Sequence, residues 1–382
     1  MLSDIYLYSI GLCATLLVYW SAPSSNPHLR QFVLLTGSAI LVLLYSPGGF
    51  AVCGYLVGAV LLYQEAVRHL KHPFMFWVGV IAAIAPLVLL RLYTDQNMMV
   101  SFGVAFATVK TIGMMMTAYS GRIRIAPVEA GLLIYFFPLF SVGPVEKLRT
   151  FQAETFTRRF AFDDVLNGVQ RIIVGLFILQ FVCNDILSPL RSDVLGRDTA
   201  ALEAMDWSTA LALVYVSFLF TYLNFTGFSE VAIGCCRLFG MRVVENFDWP
   251  LLAGNVAAFW KRYHISMGDW INQFLYFPIA VFLRYSWGHY VAIVTAFVLF
   301  GMWHAFTWQY LIWGLGNGSA VALCHFTVRN KISTDNWSPA FRPVRYLIWP
   351  VSLTFVGLMQ TIGNLNSLPD AMLLLRKLFG LE

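Results

Sequence analysis

Long apolar runs recur from one end of the chain to the other, separated by short polar turns. They occupy residues 5–20, 31–45, 50–63, 75–92, 98–119, 131–143, 168–187, 208–225, 290–313 and 345–362. Crossing a bilayer takes about 20 residues of α-helix, and several of these runs are shorter than that. Short runs are typical of half-buried or re-entrant helices, whose free backbone ends are shielded by protein or a water-filled cavity. The pattern predicts an all-α polytopic membrane protein, with about ten transmembrane helices plus re-entrant or interfacial helices around a recess.

Charged residues are scarce along the whole chain. They make up 12% of the 382 residues, whereas 59% are hydrophobic. An ordinary soluble domain carries roughly a quarter charged residues. Too few charges remain to coat a water-facing surface, which excludes a soluble enzyme, a disordered chain and a nucleic-acid binder. The six cysteines lie in or beside apolar runs without metal-binding or redox spacing, so we expect small buried hydrophobes.

Charge placement gives an expected organisation and orientation. The chain begins with an acid and no basic residue, and no small-residue cleavage site follows the first run, which predicts a retained helix over 5–20. Basic residues follow at Arg30, within 68–71 and within 147–159. Because positive connections stay in the cytoplasm, we expect the N-terminus outside and Arg30 inside. No repeat or long linker divides the chain, so we expect one membrane domain over residues 1–382.

Polar side chains inside apolar sequence are informative, since a charge at the bilayer centre costs about 3 kcal/mol or more. Residues 135–147 predict either a helix end with a proline stop or a loop that lines a cavity. Hydrogen bonds between helices would explain Asn224 and Ser229. Glu230, in the same apolar stretch, is either a structural partner or a site residue.

Two histidines lie in unusual surroundings. Residues 258–270 predict an amphipathic helix at the membrane surface, on which Trp260 and His264 share a face. His304 lies in a tryptophan-rich stretch with no charged residue between 291 and 328. It is either a buried histidine bonded to a carbonyl or a functional residue at membrane depth. We expect the remaining histidines to be solvated: His28, His69, His72, His289 and His325.

A histidine at membrane depth has a limited chemistry. Imidazole titrates near pH ~6.5, so it can take a proton from a hydroxyl and return it. His264 and His304 have no evident third partner for a metal site. The chain also lacks a Gly-x-Ser-x-Gly elbow, and the cysteines lack an activating pattern. Direct general-base transfer is the simplest chemistry that remains.

Five segments in a fixed order carry a resemblance to a known family. They are FPLFSVGP at 137–144, NFTGFSEVAIG at 224–234, ENFDWP at 245–250, FWKRYHIS at 259–266 and GMWHAFTW at 301–308. Together they resemble the membrane-bound O-acyltransferase (MBOAT) family in its bacterial branch, over about residues 101–318. Within that branch the chain looks closest to the D-alanyl-transfer (DltB-like) members, on its compact length and on residues 109–115, 144–151 and 307–310.

The resemblance implies a fold, a reaction and a set of site residues. It implies the MBOAT fold, with a funnel through thinned membrane where His304 is the catalytic general base and His264 the second histidine. The donor would be a phosphopantetheine thioester on an acyl carrier protein at the cytoplasmic side, with no tightly bound cofactor and no metal. The acceptor would be an extracytoplasmic hydroxyl or a small membrane partner, with the enzyme in the bacterial cytoplasmic membrane. The expected substrate-contacting side chains are Asn224, Trp260, Ser266, Trp303 and Trp308.

The chain departs from the family pattern at several positions but keeps both histidines. Tyr263 stands for a usual tryptophan, Asn272 and Gln273 for an Arg-Asp pair, Thr117 for an aspartate, Ala305 for a glycine and Asn317 for a histidine. Two alternatives stay open. One is an O-acetyltransferase of a cell-surface polysaccharide. The other is a transporter of envelope precursors, with Glu230, Lys110 and the histidines along a polar pathway, although transporters often show internal repeats.

Overall fold

The computed structural model describes residues 2–70, 72–93, 98–121, 123–194, 199–285, 287–330, 345–365 and 367–380. Within these ranges all regular structure is helical, apart from an isolated antiparallel bridge between Phe247 and Tyr263. The prediction of an all-α chain is therefore confirmed. The structure divides into two compact units, the first comprising Met1–Gly175 and Phe228–Glu245, the second Leu176–Gly227 and Asn246–Glu382. The single membrane domain over 1–382 stays a prediction.

The first unit contains the amino-terminal helices. They are α1 (Leu2–Ser21), α2 (Pro27–Tyr45), α3 (Pro47–His69), α4 (Phe74–Tyr93), α5 (Met98–Tyr119), α6 (Pro127–Tyr135) and most of α7 (Phe162–Phe177). Helices α2 and α3 begin in the same way, because Asn26 and Ser46 cap them and a proline follows at the first helical position. Buried Leu34, Leu56 and Phe136 belong to the core of this unit.

The second unit contains the remaining helices. They are α8 (Ser188–Val194), α9 (Thr199–Ala204), α10 (Trp207–Leu238, up to Gly227), α11 (Val256–Arg262), α12 (Ile265–Ile271), α13 (Phe277–Leu283), α14 (Gly288–His304), α15 (Trp308–Arg329), α16 (Arg345–Asn364) and α17 (Leu368–Phe379). Two π-helical segments, Ile178–Leu187 and Asn272–Tyr276, precede α8 and α13. The core of this unit includes Tyr222, Phe259 and Tyr263.

Five helical stretches of the described chain are long and apolar enough to cross a membrane. They are Pro27–Tyr45, Pro47–His69, Phe162–Arg191, Trp207–Leu238 and Trp308–Arg329. Three shorter apolar helices accompany them: Tyr6–Ser21, Phe74–Leu90 and Gly288–His304. A multi-pass architecture is therefore confirmed, whereas about ten crossings around a funnel stays a prediction.

Two of the apolar runs are not continuous helices. The run 131–143 ends its helix at Tyr135, because Pro138 lacks an N–H and disfavours helical backbone at the residue before it. Helix α6 has only 9 residues, which is too short to cross a bilayer. The run 290–313 is interrupted between His304 and Trp308, where α14 ends and α15 begins. The end at Tyr135 agrees with the predicted helix end in this segment, whereas the interruption after His304 corrects the expectation of one continuous run over 290–313.

Arg30 does not lie in a solvated connection. Its side chain is 4% exposed, and its guanidinium donates hydrogen bonds to the carbonyl oxygens of Ala22, Phe156 and Arg158 at 3.0, 3.2 and 2.6 Å. A buried guanidinium needs such acceptors to offset its lost hydration. Arg30 therefore ties segments of the first unit together, and the predicted orientation rests on the other basic residues.

Glu230 has a structural partner. Its carboxylate lies 3.3 Å from the guanidinium of Arg171, which also contacts Glu245 at 2.6 Å. Nearby, Gly168 and Gly234 let α7 and the end of α10 approach closely, since a Cβ on Gly168 would lie 2.9 Å from the carbonyl oxygen of Gly234. Of the two interpretations of Glu230, the structure supports the structural one.

The cysteines fit their prediction in four cases of six. Cys53, Cys183, Cys235 and Cys236 are buried, whereas Cys324 is partly exposed and Cys13 is exposed. Cys13 lies on α1, within the first apolar run. The expectation of a buried residue is wrong there.

Candidate active site

His264 lies at a break between two short helices of the second unit. The predicted amphipathic helix over 258–270 is instead α11 and α12, and His264 joins them with a left-handed backbone (φ 51°). Backbone bonds to a neighbouring strand-like segment hold the break: the amide of Ile265 donates to the carbonyl of Asn246 at 2.9 Å, and that of Asp248 to Arg262 at 3.0 Å. The predicted face shared by Trp260 and His264 is therefore wrong.

Asn246 holds the imidazole of His264 through its side chain. The Nδ1 atom of His264 lies 3.3 Å from Oδ1 of Asn246, and the hydroxyl of Ser266 donates to the same oxygen at 2.6 Å. A carbonyl oxygen only accepts hydrogen bonds, so this contact places a proton on Nδ1 of His264. In the neutral ring, Nε2 then carries the lone pair that can accept a proton.

The surroundings of His264 are apolar and aromatic. The side chain is 7% exposed, and the ring of Phe225 packs edge-on against it with centroids 4.6 Å apart. Burial, with a smaller contribution from the charge of His304, lowers the pKa of His264 from 6.5 to about 3. His264 is therefore neutral at physiological pH, which suits a hydrogen-bond acceptor or a positioning group.

His304 is the last residue of α14 and is half-buried. Its ring stacks on Tyr310 with centroids 5.3 Å apart and 20° between the planes, and Phe300 packs beside it at 4.8 Å. Thr307 ends the interruption, because its hydroxyl caps α15 by accepting from the amide of Tyr310 at 3.5 Å. The short connection between α14 and α15 thus presents His304 at a helix end.

An aromatic and amide contact chain joins the two histidine-bearing elements within the second unit. The indole N–H of Trp260 on α11 donates to Oδ1 of Asn317 on α15 at 3.1 Å. The ring of Trp260 packs against Trp313 at 5.3 Å, and Trp313 lies 6.0 Å from His304. These contacts connect the elements that carry the two imidazoles, and the charge of His304 contributes to the lowered pKa of His264. That the two imidazoles form one site stays a prediction.

The other predicted substrate-contacting residues lie at different distances from the imidazoles. Trp303 lies against His304, with ring centroids 4.9 Å apart. Ser266 is buried and holds Asn246. Asn224 is half-buried on α10, one residue before Phe225, and Trp308 is 67% exposed at the start of α15. Whether any of them contacts substrate stays a prediction.

Sequence reasoning assigned no site role to three residues of this network, Asn246, Tyr310 and Asn317. Asn246 contacts His264, Tyr310 contacts His304, and Asn317 contacts Trp260. Asn246 lies inside the segment ENFDWP that carries the resemblance, which is the signal that marks it. Among the described residues, no group of three or more His, Cys, Asp or Glu could hold a metal ion.

Comparison with known proteins decides the family. The model of the membrane-bound O-acyltransferase family matches residues 132–360, which is more than half of the chain. The chain belongs to the MBOAT family. It is therefore a multi-pass membrane enzyme that transfers acyl groups, and the transporter interpretation is set aside.

Relatives of known type fall into two groups. The "probable alginate O-acetylase AlgI" of Azotobacter vinelandii is 26% identical over 268 residues, covering 69% of this chain and 51% of the relative. The teichoic acid D-alanyltransferase of Bacillus subtilis is 24% identical over 353 residues, covering 83% of this chain and 86% of the relative. The peptidoglycan O-acetyltransferase of Helicobacter pylori is 24% identical over 258 residues, covering 66% of this chain and 47% of the relative. The chain thus spans about half the length of these acetyl-transferring relatives.

Proposed function

We propose that this MBOAT enzyme transfers a D-alanyl group from a carrier-protein thioester to a hydroxyl of a cell-envelope polymer or lipid, with His304 as general base. The observation that carries this proposal is the pair of imidazoles in the second unit. His264 is buried and neutral, whereas His304 is half-buried at a helix end. Partial exposure leaves His304 the ring that a substrate can reach.

Proton transfer through His304 accounts for every bond in the reaction. His304 takes the proton of the acceptor hydroxyl while the hydroxyl oxygen attacks the thioester carbonyl carbon. The tetrahedral intermediate collapses with cleavage of the carbon–sulfur bond, and the protonated His304 returns the proton to the leaving thiolate. The products are the ester and the free thiol of the carrier.

His264 serves as the positioning partner in this mechanism. With the Nδ1 proton directed to Asn246, its Nε2 accepts a hydrogen bond from the acceptor hydroxyl or from the ring of His304. In the second case it fixes the tautomer of His304. A protonated His304 also disfavours protonation of His264, so the proton in transit stays on one ring.

The length of the chain supports a carrier-bound D-alanyl donor. The chain covers most of the length of the Bacillus subtilis D-alanyltransferase. It covers only about half of the length of the acetyl-transferring relatives. The compact length also matches the resemblance drawn from the sequence. The proposal therefore includes an acyl carrier protein at the cytoplasmic side, and an extracytoplasmic acceptor or a small membrane partner.

Replacing His304 tests the mechanism. His304→Ala should lower transfer of labelled D-alanine from the carrier thioester by about 10²- to 10⁴-fold, the usual contribution of a general base. Reconstituted enzyme and quantification of the labelled ester give the rate. His69→Ala is the matched control, because His69 is exposed at the end of α3 and should leave the rate unchanged. Wild-type turnover by His304→Ala would refute the mechanism.

O-acetyl transfer is the second candidate, favoured by the alginate O-acetylase relatives of similar identity. Mass spectrometry of envelope polymers from cells with and without the protein separates the two. A D-alanyl ester that depends on the protein supports the proposal. An acetyl ester would show that the donor carries an acetyl group instead of D-alanine. The His304→Ala variant would then test the role of His304 in acetyl transfer in the same way.

A further inference from the structure

Asn317 is a buried polar side chain that the mechanism above does not use. It lies on α15, and its exposed fraction is 0%. A side chain without exposed surface does not touch a substrate, so any effect of Asn317 on the reaction has to act through its neighbours. Those neighbours lie on α11 and on α15 itself, both in the second unit.

The amide of Asn317 uses both of its ends. Its Oδ1 accepts from the indole N–H of Trp260 on α11 at 3.1 Å, and its Nδ2 donates to the carbonyl oxygen of Trp313 on α15 at 2.9 Å. The second bond fixes which way the amide points, because only the nitrogen can donate. A buried polar group that loses its partner is costly, so the two bonds together favour one position of the indole.

Trp260 is surrounded by rings from three segments of the second unit. Its ring packs edge-on against Trp313 at 5.3 Å and against Phe297 on α14 at 5.4 Å. On its own side it packs against Tyr263 at 5.5 Å, the residue that precedes His264. Ring contacts are weakly directional, whereas a hydrogen bond prefers a donor angle above about 150°. The bond to Asn317 therefore sets the direction of the indole.

Trp313 extends these contacts to the general base. It is 3% exposed, and its ring lies 6.0 Å from that of His304 and 5.7 Å from that of Phe300. Close-packed rings transmit a displacement instead of absorbing it. A shift of Trp260 would therefore reach the surroundings of His304 through Trp313.

We propose that Asn317 is a positioning residue for acyl transfer, which holds Trp260 against Trp313 and so fixes α11 relative to the helix end that carries His304. The inference rests on the proposed reaction, and it adds the group that keeps the base in place. A displacement of about 1 Å near a catalytic group lowers a rate by up to about 100-fold, so a remote hydrogen bond has a measurable effect on kcat.

Two single variants and their combination test this role. Asn317→Leu and Trp260→Phe each leave one polar group without its partner. Each should lower the unfolding temperature, and should lower kcat about 10- to 100-fold with little change in KM. The double variant removes both polar groups. Its unfolding temperature should recover towards the wild-type value, whereas its kcat should stay as low as in the single variants.

Matched substitutions elsewhere in the second unit serve as controls. Asn330 makes a similar bond to the carbonyl oxygen four residues earlier, that of Phe326 at 2.8 Å, but it is exposed at the end of α15. The indole of Trp207 donates to the carbonyl oxygen of Leu378 at 3.0 Å, on an exposed surface. Asn330→Leu and Trp207→Phe should both leave kcat unchanged. The assay uses the acyl thioester that the enzyme turns over, whether D-alanyl or acetyl.

The reactivity of His304 gives a readout that needs no turnover. Diethyl pyrocarbonate modifies neutral imidazoles, and peptide mass spectrometry follows each one. His304 should react faster in Asn317→Leu than in the wild type, because Trp313 is no longer held beside it. The reference rates come from the histidines that are exposed as predicted, namely His28, His69, His72 and His325. His289 is left out, because it is half-buried and bonded to the hydroxyl of Tyr276 at 2.6 Å; the expectation of a solvated ring is only partly met there.

Two results would overturn the proposal. One is a double variant in which kcat and the unfolding temperature recover together, since Asn317 would then only stabilise the fold. The other is an Asn317→Leu enzyme with wild-type values of kcat and of the labelling rate at His304. Failure of the proposed reaction gives a different result. His304→Ala would then keep its turnover, while the coupling between Asn317 and Trp260 would still be measured by stability and labelling.

Discussion

At the scale of single residues, His264 should make the stability of the enzyme depend on pH. Its pKa is about 3 in the folded protein and 6.5 in an exposed chain. Between these values the unfolded chain binds a proton that the folded one does not, so the stabilisation is complete above pH 6.5 and is lost as the pH falls towards 3. The expected slope is about 1.4 kcal/mol per pH unit.

Unfolding temperatures in detergent between pH 7.5 and 5 measure this effect, as the difference between wild type and His264→Gln. The wild type should lose stability over this interval more steeply than His264→Gln. Asn246→Asp should also flatten the loss, because a carboxylate beside Nδ1–H favours the protonated ring and raises the pKa of His264. Equal slopes in all three proteins would show that His264 is not held neutral.

At the scale of helices, glycines set the distance between α14 and α15, and thus the position of His304. A Cβ on Gly314 would lie 2.7 Å from the carbonyl oxygen of Phe297, and one on Gly318 would lie 2.9 Å from Cα of Val294. Small residues permit such close packing of membrane helices. Gly314→Ala should therefore separate the hairpin, at a cost of about 1–3 kcal/mol, and should slow transfer.

Thermal unfolding and the labelled-transfer assay measure the two effects of Gly314→Ala. The matched substitution is Gly58→Ala on α3, where a Cβ meets nothing within 4 Å. There alanine should be neutral or should stabilise by up to about 1 kcal/mol, because it favours helix more than glycine. A Gly314→Ala enzyme as stable and active as Gly58→Ala would show that the hairpin tolerates separation.

The helices also show what the sequence could and could not predict. Apolar runs located α2, α3 and the first part of α10, since length and hydropathy decide membrane helices. The break at His264 could not be predicted, because neither glycine nor proline marks it, and the bond that supports it comes from Asn246, 18 residues earlier. Likewise, only the cap at Thr307 signals the interruption after His304. The two histidines were found by residue type, but their tautomer and burial depend on tertiary contacts.

At the scale of the whole molecule, the orientation in the membrane is the prediction that remains to be argued. Arg30 is buried against carbonyl oxygens, so it no longer marks the cytoplasmic side. The exposed Arg68 and His69 at the end of α3 mark the cytoplasmic side instead, because basic connections are retained there. Lys71, in the same connection, lies outside the described residues. Helix α2 has 19 residues, or about 28 Å, enough to cross the hydrocarbon core. If α2 and α3 both cross, Ser25 lies on the cytoplasmic side and Gly48 outside.

Single cysteines at these two positions test the orientation, in a background with Cys13 and Cys324 replaced by serine. Ser25 and Gly48 are both exposed, and a Cβ on Gly48 meets nothing within 4 Å, so neither substitution should disturb the fold. A membrane-impermeant maleimide should label Gly48→Cys in intact spheroplasts, and Ser25→Cys only after permeabilisation. The reverse labelling pattern would show that the orientation is opposite to the predicted one. The carrier protein would then bind at the opposite end of the enzyme. Labelling of both positions from one side would show that α2 does not cross.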